Sequence, residues 1–173
     1  MSKVKCVPVL YLDLDGTVRK GFDELGRFVN SPEDVEVFEG VPELIRSYKK
    51  KGFRVVGITN QGGVSLGHMT KNNLKENIAA TNSQCMNQFD VIMACQHHPD
   101  AKDEEFSVCW CRKPRIGNIV TACHVLAERY HGECYPPHMA LFVGDRPEDE
   151  LCAANAGIKF EWASVWRERF QVL

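Results

Sequence analysis

No stretch of this chain is apolar for long enough to cross a membrane. The first hydrophobic run, Val7 to Leu12, ends at Asp13, far short of the ~20 residues a helical span requires. Coming after Lys3 and Lys5, the same short run also fits no secretory leader. Charge of one sign is lacking too: 21 Lys and Arg stand against 23 Asp and Glu, a formal net charge of −2. The chain therefore carries no bulk basic field for a polyanion, which makes nucleic acid an unlikely partner, although a local basic cleft for a phosphorylated small molecule remains compatible. Internal repeats, low-complexity segments and long linkers are missing as well, so one packed domain over residues 1–173 is expected. These absences point to a soluble, cytoplasmic protein with no membrane partner and, by default, a monomer. In that setting its eight cysteines point to metal ligation or buried thiols before disulfides.

What is present begins with Tyr11-Leu12-Asp13-Leu14-Asp15-Gly16-Thr17, two carboxylates two residues apart where the apolar run stops. Residues i and i+2 of a strand share a face, so Asp13 and Asp15 would project together only if the strand continued through Asp15. Gly16 and Thr17 suggest a turn there instead, which lets the two acids take different roles. One can bind a cation and attack as a nucleophile while the other handles the leaving-group proton. A calcium loop would need further acids and a glutamate at fixed spacing, and that pattern is missing.

Along the chain, strand patterns at Val7–Leu12, Phe53–Ile58, Val91–Cys95, Met139–Val143 and Ile158–Ala163 alternate with helical ones. The helices are expected at Val41–Lys51, Thr70–Phe89, Ile116–Tyr130 and Pro147–Ala156. This alternation predicts an α/β fold, a doubly wound, mostly parallel sheet with helices on both faces. Ligands of such sheets bind beyond the carboxyl ends of the strands. Chemically loaded residues collect there: Thr59-Asn60-Gln61-Gly62-Gly63 after the second strand and Gly144-Asp145-Arg146-Pro147-Glu148-Asp149 after the fourth. Between them lies Cys111-Arg112-Lys113-Pro114, where Pro114 is expected to open a helix and leave Lys113 near its N-terminus, a setting suited to anions.

These segments, in this order, resemble the four motifs of the haloacid dehalogenase superfamily of aspartate-nucleophile phosphatases. The likeness narrows to the cap-poor branch of histidinol-phosphate phosphatase and D-glycero-D-manno-heptose 1,7-bisphosphate phosphatase. It is carried further by Ser31-Pro32-Glu33-Asp34-Val35-Glu36, Gly40-Val41-Pro42, Thr59-Asn60-Gln61 and Ala154-Asn155-Ala156-Gly157. The resemblance implies a Rossmann-like fold in which Asp13 is the nucleophile and Asp15 the general acid and base. It implies that Thr59 and Lys113 hold the phosphoryl oxygens; Asn60 beside Thr59 and Arg112, which adjoins Lys113, are further candidates for substrate contact. It also implies a magnesium ion on Asp13, the backbone carbonyl of Asp15 and Asp145, supported by Asp149. The substrate would be a small phosphorylated metabolite, a sugar phosphate or bisphosphate or one like histidinol phosphate.

A second constellation is independent of the first. Cys95 and His97, then Cys109 and Cys111, form a Cys3His set with no open position, which suits a structural zinc in a loop over about residues 95–111. His98 could take the place of His97. Zinc-bearing members of the heptose bisphosphate branch have the same loop. The remaining thiols, Cys6, Cys85, Cys123, Cys134 and Cys152, read as buried, His124 and His131 as helix residues outside the chemistry, and Trp162 and Trp166 as packing residues.

Two features depart from the branch. Leu14 stands where its members often carry arginine, and Val18-Arg19-Lys20 follows Thr17. Arg19, Lys20, Arg112 and Arg146 are candidates to bind a second phosphate. With no insertion long enough for a large cap, specificity is expected from the loops at about 18–38, 61–69 and 96–112. The Asp13-Leu14-Asp15-Gly16-Thr17 form leaves a polynucleotide 3′-phosphatase as the alternative enzyme, and a zinc-stapled binding module as the non-enzyme alternative.

Overall fold

The computed structural model describes residues 4–172; Lys3, considered above with the leader, lies outside them. The main sheet has five strands: β2 (Val9–Leu12), β3 (Arg54–Asn60), β4 (Val91–Cys95), β6 (Leu141–Gly144) and β7 (Lys159–Trp162). Their order is β4-β3-β2-β6-β7, and every pairing is parallel. A second, two-stranded parallel sheet joins β1 (Lys5–Cys6) to β5 (Glu133–Cys134). The helices are α1 (Phe22–Leu25), α2 (Val41–Lys50), α3 (Lys71–Gln84), α4 (Gly117–Arg129), α5 (Pro147–Asn155) and α6 (Ala163–Glu168).

Alternation along the strands builds two cores, as the two-residue period of a strand requires. Leu10, Leu12, Val55 and Val143 face one side, where α2 contributes Val41, Leu44, Ile45 and Tyr48 and α6 contributes Ala163 and Trp166. Val9, Tyr11, Val56, Ile58 and Phe142 face the other, against Ile119, Ala122 and Leu126 of α4 and Cys152 and Ala153 of α5. With both faces covered, β2 is buried at every position.

The chain runs from β2 outward to β3 and β4, then returns to the other side of β2 for β6. The crevice where the order reverses therefore lies between the carboxyl ends of β2 and β6. Asp13 follows one strand and Asp145 the other, and the Asp13 amide donates to the Val143 carbonyl at 3.0 Å.

Several element bounds differ from expectation for local reasons. β3 runs on through Thr59 and Asn60 because both continue pairing with β4, at Ala94 and Cys95. α3 starts as expected, with the Thr70 hydroxyl accepting from the Asn73 amide, but it stops at Gln84. Met86 and Asn87 take positive φ, 58° and 54°, so Phe89 enters the core from a loop. α4 begins at Gly117, not beside Pro114, and Lys113 is thus no helix N-terminal residue. The last strand ends at Trp162, where α6 takes over. Among the remaining thiols, Cys85 and Cys152 are buried, Cys123 and Cys134 half-buried, and Cys6 is exposed, since its two-residue strand covers no core. Among the described residues no helix is long and apolar enough to cross a membrane.

Candidate active site

The strand ends converge on a cleft of about 370 Å³ lined by Asp13, Asp15, Thr59, Lys113, Asp145 and Asp149 among others. β2 ends at Leu12, so the two motif acids do not share a direction. Asp13 faces Lys113 and the carboxylates of Asp145 and Asp149. Asp15 lines the same cleft with partners of its own, its Oδ1 accepting from Arg19 Nε at 2.7 Å and its Oδ2 from Gln61 Nε2 at 2.6 Å. A glycine at 16 permits the turn that follows β2: its φ is +83°, and a side chain there would overlap the Asp145 carboxylate. Arg167 braces the turn by donating to the carbonyls of Gly16 and Thr17 at 2.7 and 3.0 Å.

Lys113 lies at the bottom of the cleft, buried, with its ammonium paired to Asp13 and 2.6 Å from Asp149 Oδ1. Its Nζ also donates to the Ile58 carbonyl at 3.0 Å. Burial alone would favour the neutral amine, but Asp13 and Asp149 outweigh it and raise the lysine above its ordinary value. Lys113 is placed by Asn60, whose Oδ1 accepts from the Lys113 amide at 2.9 Å and whose Nδ2 donates to the Lys113 carbonyl at 3.3 Å. Both ends of the Asn60 amide are thus occupied by the Lys113 backbone. Thr59 lines the cleft, and its hydroxyl accepts from Gln61 Nε2 at 2.9 Å.

Asp13, Asp145 and Asp149 offer carboxylate oxygens within 4.8 Å of one another. Burial pushes the Asp13 carboxyl well above the ordinary carboxylate range, with Asp149 and Asp145 adding to the effect and Lys113 opposing it. Burial and Asp149 raise Asp145 in the same way. Asp149 Oδ2 accepts from the Asp145 and Arg146 amides at 3.1 and 3.0 Å. Its Oδ1 is buried and paired with the Lys113 ammonium at 2.6 Å. Three crowded hard oxygen donors, carrying more negative charge than the single Lys113 ammonium offsets, fit a divalent cation such as magnesium.

The second cluster sits at the end of β4. The ligand atoms of Cys95, His97, Cys109 and Cys111 also lie within 4.8 Å of one another. Cys95 Sγ is 3.6 Å from Cys109 Sγ and 3.6 Å from His97 Nδ1, and Cys111 Sγ is 3.3 Å from that nitrogen. A tetrahedral site with metal–sulfur bonds of about 2.3 Å has sulfur–sulfur edges of about 3.8 Å, so the four groups can hold a metal ion. His98 is not part of it: its Nδ1 accepts from the Asp100 amide at 3.1 Å, and its ring lines the cleft. Burial raises the Cys95 and Cys111 thiols. At Cys109 burial acts in the same sense, but the Arg112 amide and the neighbouring thiols prevail and hold it below its ordinary value.

Of the four cations considered for a second phosphate, Arg112 and Arg146 line the cleft and the other two do not. Arg19 is turned inward onto Asp15, and Lys20 pairs with Glu36 on the surface. Arg112 Nη1 donates to the His97 carbonyl at 3.1 Å, and Arg146 reaches Asp23 at 2.7 Å across the mouth. His124 and His131 do not line the cleft. Gln61 and Arg167 received no role from the sequence. Gln61 could have been singled out by its place after Thr59-Asn60, whereas nothing local marks Arg167.

A model of the family described as polynucleotide kinase 3 phosphatase matches residues 8–163. The D-glycero-beta-D-manno-heptose-1,7-bisphosphate 7-phosphatase of Escherichia coli K12 is 35% identical over 161 residues, 90% of this chain and 78% of that protein. The enzyme of the same name from Yersinia pestis is 33% identical, covering 88% and 79%. Among solved structures, D,D-heptose 1,7-bisphosphate phosphatase from B. bronchiseptica, complexed with magnesium and phosphate, superposes with a TM-score of 0.69 and 28% identity. That match covers 90% of this chain and 78% of that one. A HAD-like phosphatase fold from Mesorhizobium loti superposes at 0.75 with 22% identity, over 91% and 72%.

Proposed function

The chain belongs to the polynucleotide kinase 3 phosphatase family, within the haloacid dehalogenase superfamily, and from that premise we propose that it is a magnesium-dependent phosphatase. Its substrate is a phosphomonoester of a phosphorylated sugar, a heptose bisphosphate or a close relative. The observation that carries this reading is Lys113 buried against Asp13 and Asp149, with Asp145 adjoining them and Asp15 held apart from them by Arg19 and Gln61.

An Asp13 oxygen attacks phosphorus and forms an aspartyl-phosphate as the bond to the substrate oxygen breaks. Asp15 gives that leaving oxygen its proton. After the alcohol departs, Asp15 takes a proton from water as the water oxygen attacks phosphorus, and Asp13 and inorganic phosphate are released. Lys113 offsets charge on the transferring oxygens, Thr59 orients them, and Asn60 acts through the Lys113 backbone. Asp13, the Asp15 carbonyl and Asp145, with Asp149 behind them, would hold magnesium, which when bound would supply the positive charge that lets a carboxylate approach a phosphate. Arg112 and Arg146 are the cations available to a second phosphate. Zinc on Cys95, His97, Cys109 and Cys111 is structural. A monomeric, single-domain, cytoplasmic enzyme fits these features.

The family description brings a polynucleotide 3′-phosphatase into the test as the second reading. Magnesium-dependent phosphate release is measured on heptose 1,7-bisphosphates, other sugar phosphates, histidinol phosphate and a 3′-phosphorylated oligonucleotide, with Asp13→Asn beside the wild type. Preferred hydrolysis of a sugar phosphate that vanishes in Asp13→Asn is expected. Preference for the oligonucleotide would overturn the substrate, and activity surviving in Asp13→Asn would overturn the nucleophile.

A further inference from the structure

Arg19 is fully buried yet charged, in a fold that uses few such groups. Its Nε donates to Asp15 Oδ1 at 2.7 Å, while Nη1 donates to Thr81 Oγ1 at 2.8 Å and reaches the Asn77 carbonyl at 3.4 Å. Its Nη2 is buried without a hydrogen-bond partner. Asp15 is different: its side chain is 34% exposed, whereas that of Arg19 is 0% exposed. The guanidinium therefore stands behind the carboxylate, out of reach of a phosphate in the cleft.

Burying a guanidinium carries a desolvation penalty that a single ion pair rarely offsets, so stability alone is a poor reason for the arrangement. What the pair does provide is a fixed carboxylate. Gln61 Nε2 holds the other oxygen, Oδ2, at 2.6 Å, and the Gly16 amide donates to the Arg19 carbonyl at 2.8 Å, closing the turn that joins the two residues. The far end of Arg19 is anchored on α3, where Thr81 donates to the Asn77 carbonyl at 2.7 Å and Asn77 Nδ2 donates to the Val29 carbonyl at 3.1 Å. Val29 lines the cleft. One buried polar network thus joins Asp15 to α3 and to the cleft wall.

We propose that Arg19 is a positioning residue for catalysis: anchored on Thr81 and the Asn77 carbonyl, it holds the Asp15 carboxylate where it exchanges a proton with the leaving oxygen and then with water. The inference rests on Asp15 serving as general acid and base. Both half-reactions need that carboxylate at one place, and a group free to rotate would give up part of the ~10²–10⁴-fold that positioned proton transfer supplies.

The test compares Arg19→Met, Arg19→Lys and Thr81→Val on two substrates: the sugar phosphate turned over fastest, and p-nitrophenyl phosphate, whose leaving group departs without a proton. Arg19→Met is expected to lower kcat on the sugar phosphate by about 10²-fold with KM nearly unchanged. On p-nitrophenyl phosphate the same variant should show a burst of nitrophenolate before slow turnover, because only the second half-reaction needs Asp15. Arg19→Lys should recover part of the loss, and Thr81→Val should lower kcat several-fold. Equal losses on both substrates without a burst, or a rise in KM alone, would overturn the proposal in favour of a structural or binding role. If Arg19→Met does not fold, wild-type kcat in both Arg19→Lys and Thr81→Val overturns it. Asp15→Asn separates the two readings: if that variant keeps sugar-phosphate turnover, the role of Asp15 fails and the proposal with it. If it loses turnover while the Arg19 variants keep theirs, the proposal fails alone.

Discussion

At the residue scale the site depends on one position with no side chain. Gly16 combines φ of +83° with an α-carbon whose missing methyl leaves room for the Asp145 carboxylate. Gly16→Ala would incur about 1–2 kcal/mol of backbone strain and displace Asp145 as well. We expect magnesium affinity, read from the metal dependence of phosphate release, to fall by at least about tenfold, equivalent to ~1.4 kcal/mol. Equal magnesium dependence in the two proteins would refute the crowding argument. That Asp13, Lys113 and Asp145 meet in one cleft was legible because each lies just past a strand or in a motif with a recognisable order. Arg19 was not: a cation after Thr17 looks like a phosphate ligand in one dimension, and only the packing of α3 over the turn shows that it faces inward. Asn60 presents a similar case, since nothing in Thr59-Asn60-Gln61 reveals that its amide spans to the Lys113 backbone.

At the scale of elements, the cysteine loop connects the end of β4 to the buried lysine of the cleft, Lys113. Cys111 precedes Lys113 by two residues, the Arg112 amide donates to Cys109 Sγ at 3.3 Å, and the Gly117 amide returns to the Trp110 carbonyl at 2.9 Å. A metal on the four ligands would therefore fix the approach to Lys113 without touching substrate. Zinc removal, or Cys109→Ser prepared free of zinc, is expected to lower kcat by about tenfold, or ~1.4 kcal/mol, while the Asn60 clamp preserves the remainder. Zinc content and phosphate release measured on the same samples decide it, and full activity in metal-free Cys109→Ser would sink the coupling. The same scale shows which elements periodicity could reveal. Long, strongly patterned pieces such as α2, with Val41, Leu44, Ile45 and Tyr48 buried, were readable. Four-residue α1 and two-residue β1 and β5 are too short to carry a period. In α6, Trp166 was recognisable as a packing residue, but the preceding strand pattern concealed where the helix begins.

At the scale of the whole molecule, the end of the sheet opposite the cleft is closed by a polar clamp. Arg54, at the start of β3, forks onto Glu133 with Nη2–Oε1 and Nε–Oε2 distances of 2.7 and 3.0 Å, tying the small sheet to the large one. Its guanidinium also lies 3.3 Å from the centre of the Tyr130 ring, whose hydroxyl donates to Asp90 at 2.7 Å. The hydrogen bond from Arg54 holds the Glu133 carboxyl below its ordinary value of 4.5. A carboxyl whose folded value is depressed contributes stability above its unfolded value and loses that contribution as pH falls through the folded one. At pH 7 Glu133→Gln should therefore cost about 1–3 kcal/mol, a fall in Tm of roughly 2–4 °C per kcal/mol for a chain of this size. The gap to wild type should narrow as the pH is taken below 4.5, where the wild-type glutamate begins to protonate in the unfolded chain. Because the clamp and the cleft occupy opposite ends of the strands, kcat at pH 7 should be unchanged while the variant remains folded. Thermal melts from pH 7 to pH 3 beside phosphate release at pH 7 test both halves. A Tm gap constant across that range would mean that Glu133 contributes through packing rather than charge, and a fall in kcat would mean that strain at the clamp reaches the carboxyl ends of β2 and β3.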